Sequence, residues 1–181
     1  TELADSGDAA VRAAYIDLGD RLGWKGIVAS KLVDWWFEAR HGAERTSALK
    51  NAFDRFVEVG RDQDAVRVAI ELVRTKAADK KLADQLEELA VKTGDHDALT
   101  IAHDLLARDV TGADRAFELT RQAEVRSKAG MPRLDCLQHG EAGLTSIQPA
   151  EAEPLLERLA ALAPKPQDVV DLYERQVSRS K

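Results

Sequence analysis

The chain has 181 residues, 44% hydrophobic and 32% charged, a length that suits one soluble domain, or two small ones, able to close a core without staples. Its single cysteine, Cys136, excludes a disulfide scaffold, and 29 Ala against 5 Ile tilt the composition toward helix and away from an all-β fold. Lys+Arg number 26 against 32 Asp+Glu, split 14 against 17 over residues 1–90 and 12 against 15 over 91–181, so no basic surplus exists for an extended nucleic-acid face.

From residue 8 onward apolar residues recur at spacings of three and four, broken at Gly or Asp, which predicts helices joined by short turns. The first, about 8–22, carries Val11, Ala14, Tyr15, Leu18 and Leu22 on one stripe. The second, about 26–40, ends at His41 and Gly42. The third, about 43–59, uses Leu49, Ala52, Phe53 and Phe56. The fourth, about 63–76, offers Val66, Ala69, Ile70 and Val73. The fifth, about 79–93, has Asp79 as N-cap and Leu82, Leu86, Leu89 and Ala90 as its face. The sixth, about 95–109, has Asp95 as cap and Ala98, Ala102, Leu105 and Leu106 inward, and the seventh covers about 113–129. Residues 131–148 hold Pro132, Gly140 and Gly143, which predict at most a short helix from Pro132 to about His139 and then a loop. Helices over about 150–162, with Leu155, Leu156, Leu159 and Leu162, and about 167–178, with Val169, Val170, Leu172, Tyr173 and Val177, close the chain.

The predicted helices fall into pairs. Gly23, Gly60, Gly94 and Gly130 stand between successive partners at separations of 37, 34 and 36, and Pro164 follows 34 later. A period in the mid-thirties with two helices per unit marks a helical repeat. Two units share their spacing as well: Gly60, Ala65, Ala69, Leu72 in one and Gly94, Ala98, Ala102, Leu105 in the next. The segments 52–73 and 86–107, AFDRFVEVGRDQDAVRVAIELV and LEELAVKTGDHDALTIAHDLLA, resemble tetratricopeptide repeats in the turn Gly, the small residues early in the second helix and the period. That resemblance implies an all-α, right-handed solenoid of about five antiparallel hairpins: about 8–41, 43–76, 79–109, 113–139 and 150–178. It would form a single helical-repeat domain over 1–181. Because the chain begins at Thr1 rather than Met, it reads as a segment of a longer polypeptide.

Such a fold implies a curved surface that receives a protein or peptide. Aligning the units on their turn Gly places Asp17, Asp54, Glu88 and Glu124 in one acidic row that would favour a basic partner segment. Arg21, Lys92 and Lys128 lie four residues after three of these acids, which equally suits solvated helix faces, and aligning on Val11, Leu49 and Leu82 instead puts Arg55 in the row. A clamp for a terminal carboxylate finds only Lys50 and Asn51, both in one unit. In the second helix Trp35 and Trp36 point about 100° apart and, with Phe37, cover most of its circumference. Either the helix is sandwiched between neighbours, or Trp36 or Phe37 stays exposed as a partner anchor.

The histidines give the competing reading. His96-Asp97 and His103-Asp104 faintly resemble the ligands of metal-dependent phosphohydrolases, yet a spacing of seven separates the two rings by about 10 Å, too far to share a metal. Cys136 and His139 have the spacing of a dyad, but a lone cysteine more often packs as a small hydrophobe. No phosphate loop, nucleophile elbow or CxxC pair occurs. The expectation is therefore a non-catalytic interaction or scaffold module that needs no cofactor, metal or nucleic acid. It would touch no membrane, since no basic leader or apolar run of about 20 residues is present. A spacer or self-associating segment is the alternative, a helical metal-dependent hydrolase the less favoured one, and a cytoplasmic location is expected.

Overall fold

The computed structural model describes residues 9–38, 42–76 and 78–179, and these form ten α-helices and one 3₁₀ turn with no strand among them. In chain order they are α1 (Ala9–Arg21), α2 (Lys25–Glu38), α3 (Gly42–Glu58), α4 (Asp62–Arg74), α5 (Lys80–Thr93), α6 (His96–Ala107), α7 (Gly112–Lys128), α8 (Arg133–Gly143), the 3₁₀ turn (Leu144–Ser146), α9 (Pro149–Ala160) and α10 (Pro166–Arg179). The expected end of the second helix at His41 lies outside the described residues. None of these helices is long and apolar enough to cross a membrane.

The turn glycines show why the helices stop where the sequence predicts. Gly23, Gly60, Gly94 and Gly130 have φ of +72°, +71°, +71° and +85°, the left-handed region in which a Cβ is strained. There the chain reverses with the hydrogen bonds of a helix C-terminal motif: Arg61 N–H donates to the Phe56 carbonyl at 2.9 Å, and Met131 N–H to that of Arg126 at 3.1 Å. Starts are capped as expected, with Asp79 accepting from Leu82 N–H and Asp95 from Ala98 N–H, both at 2.9 Å.

The chain divides into two compact units, residues 1–93 and 94–181. In the first, α1 packs on α2, α2 on α3, α3 on α4 and α4 on α5. Its core is built from Val28, Ala29, Leu32, Trp35, Leu49, Ala52, Phe53, Phe56, Ala65, Leu72, Leu82 and Leu86. The expected stripe of α1 is displaced, because Leu18 and Leu22 are exposed and Gly19 is the buried residue. A Cβ on Gly19 would lie 2.3 Å from a Val28 methyl, so α1 meets α2 through this glycine and its face turns away from the leucines.

In the second unit α7 packs on α6, α8 and α9, and α9 also on α8 and α10. Here the segment expected to become a loop after about His139 is helical to Gly143. Gly140 and Gly143 are contact points rather than stops: a Cβ on Gly140 would sit 3.1 Å from that of Ala123, and one on Gly143 only 2.8 Å from the Ala116 Cα. Both glycines let α8 close onto α7, and Cys136, Leu137, Leu144, Leu155, Leu156, Leu159 and Leu172 fill the core around them.

Candidate functional site

Trp36 and Phe37 divide as their adjacency on one helix requires. Trp35 and Trp36 turn inward, where Trp35 meets Tyr15 edge-on at 5.7 Å and Arg45 lies 5.1 Å from the Trp36 ring. Phe37 is 71% exposed while Trp36 is 6%, and the Phe37 ring rests edge-on against Trp36 with centroids 4.2 Å apart. The exposed ring is thus held by a buried one, which removes part of the side-chain entropy that docking would otherwise cost.

The four acids of the predicted row have different neighbours. Asp17 pairs with Arg21 at 2.6 Å across one turn of α1, both exposed. Asp54 and Glu88 face solvent on α3 and α5. Glu124 is held by a two-pronged bond from Arg158, at 2.8 and 2.9 Å, and that guanidinium holds its carboxyl below the usual range. Among the described residues, Glu124 is the one of the four acids that bonds to another hairpin, as a structural staple. Asp54 also rims a cleft of about 170 Å³ between α3, α4 and α5, with Phe53, Leu72 and Leu82 as its floor and Lys50 and Lys81 beside it. Asn51, considered with Lys50, accepts instead from Arg55 at 2.6 Å.

The Glu124–Arg158 staple recurs within each unit. Arg55 reaches back 35 residues to Asp20, with one bond at 2.9 Å, and Arg175 reaches back 34 to Glu141 at 2.8 and 2.9 Å. Arginine on one hairpin and acid on the preceding one, about one repeat apart, is a signal the sequence carries and the row alignment overlooked.

The histidines part company. His96 is exposed, with Nε2 3.1 Å from the Ala129 carbonyl. His103 is fully buried, and its Nδ1 accepts from Arg126 Nε at 3.0 Å, which puts the ring proton on Nε2. Gln122, also fully buried, donates through Nε2 to the His103 carbonyl at 3.1 Å and to Glu118 at 2.8 Å. Its Oε1 must therefore accept, so His139 Nε2, 2.9 Å away, carries that ring's proton. Burial, then Arg126 and His103, push the His139 pKa down to about 4. The two rings stack with centroids 6.2 Å apart. Cys136 uses the Met131 carbonyl rather than His139, and burial raises its thiol pKa. No group of three or more His, Cys, Asp or Glu among the described residues is arranged to hold a metal ion. Gln122 and Arg126 carry no sequence signature that separates them from solvated positions on a polar helix.

No family model, curated protein or solved structure matches the chain.

Proposed function

We propose that this chain is a non-catalytic protein-interaction module, its hairpins stacked as a right-handed, tetratricopeptide-like solenoid. The repeated left-handed turn glycines and the arginine-to-acid staples one repeat apart support that stacking, since both recur with the period of a helical hairpin. The observation that carries the function is Phe37, an exposed aromatic ring seated on a buried Trp36. The partner is a protein or peptide, and a basic stretch in it would be favoured by Asp54 and Glu88, which face solvent. A reducing, cytoplasmic setting fits the one unpaired cysteine.

A photo-crosslinking phenylalanine analogue at position 37, compared with one at the exposed Arg67, tests the reading in source-cell extract. One defined polypeptide crosslinked from 37 alone, and competed away by wild type but not by Phe37→Ala, is the expected result. Equal labelling from both positions would sink it. A crosslink between two copies of this chain would instead select the self-associating alternative.

A further inference from the structure

Three helices of the second unit enclose a cleft of about 210 Å³ that the interaction reading does not use, with Asp104 and Arg108 at the α6 end, Arg115 and Gln122 on α7, and His139 on α8. Its charges run against those of the chain, which is net −6. Arg108 is exposed at the end of α6, and Arg115 is fixed by an Nη1 bond to the Ala107 carbonyl at 2.9 Å. Arg126, on His103, is 9% exposed, and burial depresses its pKa. Against the two cations that line the cleft, Arg108 and Arg115, stands Asp104. Glu118 is already engaged, by Arg121 at 2.8 and 3.0 Å and by Gln122.

The floor is built rather than incidental. Gln122 spends all of its polar atoms on His103, Glu118 and His139, which locks the His139 ring and directs its proton to Nε2. Nδ1 is left as the acceptor, and the ring is neutral at pH 7 because its pKa is about 4. Two planar guanidinium forks beside a neutral imidazole acceptor form a combination that suits a compact oxyanion carrying a hydroxyl group.

We propose that the cleft between α6, α7 and α8 binds a small oxyanion, a phosphate or carboxylate group held by Arg108 and Arg115, with a ligand hydroxyl donating to His139 Nδ1. Inorganic phosphate and L-malate, titrated separately at constant ionic strength into isotope-labelled protein, distinguish the two sources of that chemistry. The backbone and arginine Nε signals of Arg108 and Arg115, and the ring signals of His139, are expected to move saturably with at least one of the two. Arg108→Gln, which breaks no intramolecular bond described for the fold, should weaken binding about tenfold, while Arg67→Gln in the first unit leaves it unchanged. The proposal falls if both anions shift signals no more than sodium chloride does, or if Arg108→Gln binds as wild type.

Discussion

Both units bury an apolar core, but they differ in the polar groups set into it. Among the described residues every buried polar or charged side chain, His103, Thr120, Gln122, Arg126 and Glu141, belongs to residues 94–181. The described residues up to 93 bury no polar side chain fully, and their ion pairs reach the surface, as in Lys25 with Glu58 and Lys92 with Asp62 at 2.7 Å. An apolar core is indifferent to pH and tolerant of repacking, whereas a hydrogen-bonded one has a defined protonation state and specific partners. One chain thus carries a core held by shape and a second apolar core into which a network of donors and acceptors is set.

That contrast can be tested at several strengths. All three tryptophans, Trp24, Trp35 and Trp36, precede residue 94, so indole fluorescence follows the first unit and far-ultraviolet dichroism follows both. Leu86→Ala empties a fully buried position and should remove about 2 to 5 kcal/mol, read as an earlier fluorescence transition in urea. Gln122→Leu should cost about 1 to 3 kcal/mol, because it leaves the His139 Nε2 proton without its acceptor and takes a donor from the His103 carbonyl, while Glu118 keeps Arg121. Its effect belongs in the dichroism and not in the fluorescence; equal loss in both would erase the distinction.

Acid should separate the units without any mutation. The folded His139 pKa, about 4, lies below the ordinary imidazole value of 6.5, so its contribution is complete above pH 6.5. Between pH 6.5 and 4 the unfolded chain takes up a proton that the folded chain refuses, and the second unit loses about 2 kcal/mol after allowance for solvent screening. Denaturation at pH 7 and pH 4.5 measures this, and His139→Gln should flatten the difference. Gly143→Ala forces α8 off the Ala116 backbone and should cost about 1 to 3 kcal/mol in the second unit. Arg55→Gln, at the other extreme, removes a half-exposed pair with Asp20 and should change stability by under about 1 kcal/mol, an effect that salt diminishes.

Much of the fold was legible because it rests on local rules. A helix that must reverse needs a left-handed residue, and Gly23, Gly60, Gly94 and Gly130 announce it. Capping by Asp79 and Asp95 is equally local. What escaped depends on the neighbour across the gap. Gly140 and Gly143 read as stops in sequence and act as close-packing positions, which only Ala123 and Ala116 on α7 reveal. For the same reason α1 turns its Gly19 inward instead of its leucines. In the candidate site, the sequence offered two adjacent aromatics, Trp36 and Phe37, as the exposed ring; which of them faces solvent depends on how α2 rotates against α3. The hydrogen-bonded core was the least legible part. Gln122 and Arg126 sit on a helix rich in polar residues, and nothing in their spacing separates a buried amide from a solvated one.

Cys136 gives the second unit a clock. Its thiol is buried with no other cysteine to bridge to, so a thiol reagent can reach it only when α8 lifts from its neighbours. The rate of modification, divided by that of an unstructured peptide thiol, reports how often this happens: when closing outpaces labelling the ratio is the equilibrium constant for opening, and at high reagent concentration it becomes the opening rate itself. A single chemical event thus times the motion of one helix, in the half of the molecule that fluorescence cannot see.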